Sequence, residues 1–238
     1  MQLPSTFFGW VRFLLEQYGP LFLSGVGVTL IVAITGTLAG FLLGLLVAIL
    51  RTIPTSPKDP AVKRVPLKIL SWLLGVYIEV FRGTPMIVQA MVIYYGGMTV
   101  GVRLPVLTAA ILIVSVNTGA YMAEIIRGGI MAVDEGQNEA GRSLGLNFAQ
   151  TMLYIIIPQA LKNVLPALAN EFIVLLKETS VACYVAVNDL TKGGEIIRSQ
   201  TYIQAMPLLI VAALYLIMVV FFSHLVSKLE RRLRSSDH

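Results

Sequence analysis

The feature that most constrains this chain is an apolar run from Leu21 to Leu50, in which no residue is Asp, Glu, Lys or Arg. About 20 apolar residues are enough for a helix to cross a bilayer. The chain of 238 residues is 56% hydrophobic and 13% charged, with a mean hydropathy of +0.79, whereas soluble domains carry about 25% charged residues. We therefore predict an all-α, polytopic membrane protein.

Further apolar runs predict about five transmembrane helices, at residues 21–50, 69–97, 104–127, 163–186 and 206–227. The second is interrupted by the sequence Arg82-Gly83-Thr84-Pro85, because proline removes a helical hydrogen bond. Residues 51–68 contain four prolines and predict a basic loop. The predicted organisation is an N-terminal interfacial segment at 1–20, a transmembrane domain at 21–230 and a basic tail at 231–238.

The distribution of Lys and Arg predicts that the N-terminus lies outside and the C-terminus inside. With five spans, the segments on the side of the C-terminal tail carry 12 of the 18 basic residues and the opposite segments carry four, while Arg82 and Lys177 lie within spans. Cytoplasmic loops carry the excess of Lys and Arg in membrane proteins. Residues 128–162 are therefore predicted to be cytoplasmic.

Several classes of function are disfavoured by the residues themselves. The basic residues cluster at helix ends rather than in a stripe with aromatic residues, so we expect membrane anchoring and no nucleic acid. Cys183 is the single cysteine, which excludes an internal disulfide. The histidines are His224 and His238, and no HExxH, GxSxG or metal-ligand cluster occurs. We expect neither a metal site nor an enzyme, and no cleavable signal peptide.

The first span contains a tandem GxxxG pattern at Gly36, Gly40 and Gly44. Small residues four apart allow another helix to approach closely. Packing within one subunit and packing between two subunits are both compatible with this pattern.

The cytoplasmic segment around residues 134–160, here called the knob, has mixed polarity. Asp134 is a predicted N-cap, and Gly141 and Gly145 leave one side of the first helix open to close contact. A second helix is predicted at 147–157, ending at Pro158, with apolar residues at helical spacing. The alternative is an ordinary loop with two interfacial helices.

The knob carries a recognisable motif. Glu139-Ala140-Gly141, followed by Gly145 and by Ile155-x-Ile157-Pro158, resembles the EAA loop of ABC importer permeases. Gly141 replaces the second Ala of that pattern and Ile157 replaces its Leu, and the spacing is intact. Further motifs resemble the permeases of the polar amino acid uptake family (histidine, glutamate, glutamine, arginine and opines), and they are Glu79 to Pro85 with Gln89, Asn117 to Glu124 with Arg127-Gly-Gly129, and Lys177-Glu-Thr-Ser180.

This resemblance, which covers about residues 20–230, implies the membrane-spanning subunit of an ATP-driven amino acid importer in a bacterial cell membrane. It also implies two ABC ATPase subunits, a second permease subunit, identical or different, and an extracytoplasmic amino-acid-binding protein. The residues implied in ATPase coupling are Glu139, Ala140, Gly141, Arg142 and Gly145. The chain contains no GxxxxGK[ST] phosphate loop, so ATP and Mg are expected in the partner and no cofactor in this chain. A secondary transporter or channel for small polar solutes is the alternative.

Polar residues inside the spans are the candidates for substrate contact, since a charge there costs about 2.5–3.5 kcal/mol on insertion scales. Arg82 either pairs with Glu79 or Glu124, or binds the carboxylate of a substrate. Asn117 either binds a polar substrate group or bonds to another helix, and Tyr121 lies nearby.

Further polar residues follow the knob. Glu171 is a candidate for binding an ammonium group, and Lys177 is expected to face the polar interior. The hydroxyl of Thr179 can satisfy the backbone of a loosened helix. The complete predicted substrate pathway comprises Arg82, Thr84, Gln89, Asn117, Tyr121, Asn170, Glu171, Lys177 and Thr179.

Overall fold

The computed structural model describes residues 6–53, 55–57 and 60–235, which contain helices and no strand. A π-helical turn at Met152–Ile156 precedes α7, and a 3-10 helix at Thr179–Val185 follows it. The α-helices are α1 Phe7–Thr52, α2 Ala61–Gly83, α3 Met86–Thr99, α4 Val106–Met131, α5 Glu135–Ser143, α6 Phe148–Thr151, α7 Ile157–Glu178, α8 Leu190–Thr201 and α9 Met206–Ser235.

Four helical segments of the described chain are long and apolar enough to cross a membrane, at Phe7–Thr52, Val106–Met131, Phe148–Val185 and Met206–Lys228. Helices α2 and α3 together meet the same test but are bent by 111° at the break between them. The predicted all-α, polytopic fold is confirmed, and the interruption predicted near Pro85 is the place where the chain turns.

Helix α1 is longer than predicted, because it is continuous over 46 residues. The interfacial segment predicted at 1–20 and the first span predicted at 21–50 therefore share one helix, and residues 1–5 lie outside the described ones. Pro20 lies inside α1 without ending it. Proline removes one hydrogen bond, and in apolar surroundings the other backbone groups still need their helical partners.

The prediction of a basic loop over residues 51–68 is wrong in its extent, because α2 begins at Ala61. Pro60 stands immediately before α2 and Pro66 lies inside it. At Pro60 the missing N–H has no helical partner to lose, whereas Pro66 lies beyond the first turn and gives up one helical hydrogen bond without ending α2. The prolines therefore did not prevent a helix in the second part of the segment, from Ala61 onward. Pro54 and Lys58 lie outside the described residues.

The C-terminal half also contains more helix than predicted. The second knob helix was expected to end at Pro158, but Pro158 is the second residue of α7, which continues directly from the π-helical turn at Met152–Ile156. The helix therefore passes through Pro158, although proline lacks the N–H for one helical hydrogen bond. Helix α8 was not predicted. Helix α9 continues through the predicted tail to Ser235, and residues 236–238 lie outside the described chain.

The chain divides into two compact units. The first comprises the described parts of Met1–Gly36, Met86–Val114 and Phe172–Leu225. One of its buried clusters packs α3 and the start of α4 against the 3-10 helix, and another packs the N-terminal part of α1 against α8 and α9. Gly25 allows α1 to touch the start of α8, since a Cβ there would lie 2.7 Å from the Cα of Leu190.

The second unit comprises the described parts of Thr37–Pro85, Ser115–Glu171 and Val226–His238. Its largest cluster packs the C-terminal part of α1 and α4 against the knob and the start of α7. Gly40 and Gly44 lie against α4, where added Cβ atoms would come within 2.9 Å of Thr118 and 2.7 Å of Met122. The glycine pattern of the first span therefore serves packing within this chain.

Candidate functional site

The first helix of the knob begins as the sequence predicts. The carboxylate of Asp134 accepts a hydrogen bond from the backbone N–H of Gly136 at 2.7 Å, which makes Asp134 the N-cap of α5. Glu135 follows in the first turn, where a negative charge is favoured by the helix dipole. The nine-residue helix α5 therefore has a defined start.

The same helix ends in a Schellman motif. The N–H of Gly145 donates to the carbonyl of Arg142 at 3.0 Å, and the N–H of Leu146 donates to the carbonyl of Gly141 at 3.1 Å. Gly145 has φ +80°, a conformation that favours glycine. Gly145 was expected to lie beside Gly141 on an open helix side, but it lies beyond the end of α5, where a Cβ would have no atom within 4 Å. Its function in the structure is to end the helix.

The start of the second knob helix was not predicted in detail. Asn147 and Gln150 form a reciprocal capping box, in which each side chain accepts the other's backbone N–H at 2.9 Å. The Asn-x-x-Gln spacing is a sequence signal that could have revealed this start.

The two knob helices pack on each other through Gly141. A Cβ at Gly141 would lie 2.7 Å from the Cγ2 of Thr151, and Thr151 is itself buried. The amide of Gln159 bridges the base of the knob, donating to Gln137 Oε1 at 3.2 Å and to the carbonyl of Ile155 at 3.1 Å. The predicted compact knob is therefore present as a packed unit and is not an open loop.

The outer surface of the knob is a mixture of charges and exposed apolar side chains. Glu139, Ala140 and Arg142 are exposed, while Leu144 and Tyr154 are 78% and 68% exposed. A cleft of about 610 Å³ has Arg142 in its wall. Its lining includes Met131, Asp134, Glu135, Asn138, Arg142, Asn147 and Phe148.

A second group of predicted residues joins α2 to the middle of α4. The Asn117 amide donates to the carbonyl of Phe81 at 3.3 Å, and the Tyr77 hydroxyl donates to the carbonyl of Val116 at 2.6 Å. The guanidinium of Arg82 lies over the ring of Tyr121, 5.4 Å from its centroid. Of the two alternatives for Asn117, helix–helix hydrogen bonding is thus observed.

Of the two alternatives for Arg82, the ion pair with Glu79 or Glu124 is not formed. Glu124 pairs instead with Arg51 at 3.5 Å and with Arg127, so that α1 and α4 are joined by a carboxylate between two guanidinium groups. Among the described carboxylates of the same unit, none lies within ion-pairing distance of Arg82, which leaves its exposed guanidinium available.

The other predicted pathway residues differ in their surroundings. Thr84 is the C-cap of α2, and its hydroxyl donates to the carbonyl of Val80 in the last turn at 2.8 Å. Thr179 is buried and donates to the carbonyl of Leu176 at 2.8 Å, where α7 gives way to the 3-10 helix, as predicted for a loosened helix. Gln89 is buried on α3, whereas Lys177 is exposed.

Two more predicted residues stand side by side near the middle of α7. Asn170 is exposed and Glu171 is partly buried. The membership of these residues in a substrate pathway stays a prediction.

A buried carboxylate that the sequence analysis missed is Asp189, which is 1% exposed. It caps α8 by accepting the N–H of Lys192 at 2.9 Å, and the hydroxyl of Tyr215 on α9 donates to it at 3.3 Å. Burial raises the pKa of the Asp189 carboxyl. The sequence signal that could have revealed this N-cap is Asp189 itself, because Asp is a preferred residue immediately before a helix.

Long apolar helices, a bent helix pair and a packed polar knob are the features of an integral membrane protein with a polar extramembrane segment. The sequence profile described as "Binding-protein-dependent transport system inner membrane component" matches residues 60–235. The chain belongs to this family.

Individual relatives are similar over nearly the whole chain. The arginine transport system permease protein ArtQ of Bacillus subtilis is 32% identical over 92% of this chain and 94% of its own length. The glutamine transport system permease protein GlnP of Escherichia coli is 34% identical over 90% and 94%.

Two solved transporter structures are also similar to the chain over nearly its whole length. A crystal structure of an amino acid ABC transporter with histidines is 44% identical, covers 96% of this chain and 99% of that chain, and superposes with a TM-score of 0.82. An inward-facing MetNI methionine ABC transporter is 23% identical with a TM-score of 0.72, over 90% of this chain and 96% of that chain, and supports the fold.

Proposed function

We propose that this chain is the permease subunit of an ATP-driven importer of polar amino acids and that the knob receives the ATPase. The observation that carries the proposal is the packed knob, which presents Glu139, Ala140 and Arg142 outward while Gly141 holds its two helices together. The names of the arginine, glutamine and histidine relatives support the substrate class.

The proposed assembly contains two ATPase subunits, a second permease subunit and an external amino-acid-binding protein, in a bacterial cytoplasmic membrane. ATP and Mg are bound by the ATPase subunits, because the chain has no phosphate loop of its own. The N-terminus is placed outside and the knob inside on the basis of the Lys and Arg distribution.

The knob assignment is tested with a variant that changes its surface without changing its packing. Ala140→Lys adds a bulky charge at an exposed position of α5, and such surface changes usually alter stability by less than about 0.5 kcal/mol. We expect the variant to fold but to lose co-purification with the ATPase and ATP-dependent amino acid uptake in liposomes.

The matched control is Ala205→Lys, the same change at an exposed position between α8 and α9. This control should retain the ATPase. Retention of the ATPase by Ala140→Lys would overturn the knob assignment. Amino acid uptake without ATP or ATPase would overturn the importer as a whole and favour a secondary transporter or channel.

The substrate-binding part of the proposal rests on Arg82, whose guanidinium is exposed, lies over the ring of Tyr121 and is not within ion-pairing distance of any described carboxylate of its unit. A hydrogen bond to a charged group contributes about 1.5–3 kcal/mol. Arg82→Gln should therefore weaken substrate binding by about 10- to 100-fold. The uptake KM measures this effect, with ATPase co-purification unchanged. An unchanged KM would remove Arg82 from the pathway.

Tyr121→Phe tests the other pathway residue at this place, because it keeps the aromatic face under Arg82 and removes only the hydroxyl. A raised KM in this variant would assign the Tyr121 hydroxyl to substrate binding, and an unchanged KM would limit Tyr121 to supporting Arg82. The remaining proposed pathway residues are Thr84, Gln89, Asn117, Asn170, Glu171, Lys177 and Thr179. Glu171→Gln tests the proposed contact with the ammonium group by the same uptake assay.

A further inference from the structure

A second cleft of the molecule, separate from the knob, lies between the end of α1 and the first half of α2. Its volume is about 560 Å³. It is more polar than a lipid-facing groove requires, because basic and hydroxyl side chains stand among the apolar ones. The lining includes Arg51, Ile53, Thr55, Lys68, Ser71 and Trp72, with Gly75 and Glu79 further along α2.

Lys68 and Ser71 provide hydrogen-bond donors to this cleft. They stand three residues apart on α2, a spacing that puts two side chains on one helix face. Among the described residues, neither side chain has a hydrogen-bond or ion-pair partner, in contrast to Arg64 on the same helix, which donates to the carbonyl of Pro57. Two donors thus face a cleft with their bonding capacity unused.

Arg51 adds a second basic group on the opposite wall. Its guanidinium lies beside Gly75, where a Cβ would be 3.7 Å from Nη2. Glu124 is its ion-pair partner at 3.5 Å through Nη1, while its Nε has no partner among the described residues. Arg51 also lies in the last turn of α1, where a cation offsets the negative end of the helix dipole.

The one acidic residue in the described lining is distant from the donors. Glu79 follows Lys68 by eleven positions on α2, which at 1.5 Å per residue is about 16 Å along the helix. The end of the cleft at Lys68 and Ser71 is therefore a basic environment.

An apolar stripe runs along α2 beside the cleft. It consists of exposed apolar residues at helical spacing, and Trp72, 66% exposed, belongs both to the stripe and to the cleft wall. Trp residues concentrate at the interface between headgroups and acyl chains. The members of the stripe are Val62, Val65, Ile69, Trp72, Leu73, Val76 and Val80.

We infer that this cleft binds the phosphate headgroup of an anionic phospholipid, with Lys68 and Ser71 donating to the phosphate and an acyl chain lying along the stripe. Basic pockets between transmembrane helices select anionic headgroups by this combination of charge and hydrogen bonding. The site is independent of the proposed knob and substrate pathway, because it uses none of their residues.

The test uses Trp72 as the reporter. The chain has two tryptophans, so the full-length Trp10→Phe variant, reconstituted in liposomes, reports from Trp72 alone. Brominated phosphatidylglycerol should quench Trp72 several-fold more strongly than brominated phosphatidylcholine at the same mole fraction. Lys68→Gln should reduce this preference about fivefold, the contribution of one basic residue near an anionic surface, and Ser71→Ala should reduce it less.

Lys63→Gln is the matched control, since it removes the same charge from α2 at a position that does not line the cleft. It should change the preference less than twofold. Equal quenching by the two lipids would overturn the proposal, as would an equal effect of Lys63→Gln and Lys68→Gln. Displacement of the lipid by soluble inorganic phosphate would show a headgroup-only site, and protection of Trp72 from both lipids would show that protein covers the stripe. Either result would also overturn it.

Discussion

Replacing Gly44 by alanine should force α1 and α4 apart. The added Cβ would lie 2.7 Å from the Cβ of Met122, 2.8 Å from the backbone N of Ala123 and 2.9 Å from the carbonyl O of Gly119. None of these atoms is the end of a flexible side chain. The helices would have to separate by about 0.6 Å to restore an ordinary contact of 3.4 Å to the nitrogen.

Such overpacking costs about 1–3 kcal/mol, which corresponds to an increase of about 5- to 140-fold in the unfolding equilibrium constant. Gly27→Ala on the same helix is the matched control, because no atom lies within 4 Å of its added Cβ. Alanine is favoured over glycine inside a helix by about 0.5–1 kcal/mol. The two substitutions should therefore change the free energy of unfolding in opposite directions.

The free energy can be measured by steric trapping in bicelles, and thermal unfolding in detergent should rank the two variants in the same order. The reasoning would be refuted if Gly44→Ala were as stable as Gly27→Ala. That result would mean that α1 and α4 separate at no cost, so that the close glycine contact does not stabilise the second unit.

Three further predictions concern the loops and caps. Because burial raises the pKa of Asp189 above 3.8, the folded state binds its proton more tightly than the unfolded state, and stability should fall as the pH rises from about 3.8 through the raised pKa. Asp189→Asn should remove this slope from the thermal unfolding midpoints, and a slope that persists would contradict the assignment. Gly145→Ala should cost about 1–2 kcal/mol because of the positive φ, and Gly145→Asn should cost less in the same unfolding assay. Asn147→Ala should cost about 0.5–2 kcal/mol and speed hydrogen exchange at Gln150, and unchanged exchange would argue against the capping box.

Local signals in the sequence predicted those parts of the fold that depend on neighbouring residues. Long apolar runs identified the spans, and the Gly-Thr-Pro sequence located the 111° bend between α2 and α3. The N-cap at Asp134 was also predictable, because an N-cap hydrogen bond reaches only two residues along the chain.

Features that depend on distant residues were not predictable in the same way. Arg51 and Glu124 are far apart in the sequence, and no local pattern indicates that Glu124 joins Arg51 while Arg82 stacks on Tyr121. The burial of Asp189 likewise depends on Tyr215 of another helix. Proline gave a misleading local signal, because its cost depends on its position in the helix.

Helix α5 carries two kinds of evolutionary constraint, because Gly141 faces Thr151 inside the knob while its neighbours face outward. Gly141 and Thr151 inside the knob constrain each other by packing. If the ATPase docks on the knob as proposed, the exposed residues Glu139, Ala140 and Arg142 are constrained by that partner instead. A lineage could therefore exchange its ATPase by altering the exposed face alone. Among relatives, we expect position 141 to vary together with 151, and positions 139, 140 and 142 to vary together with residues of the ATPase.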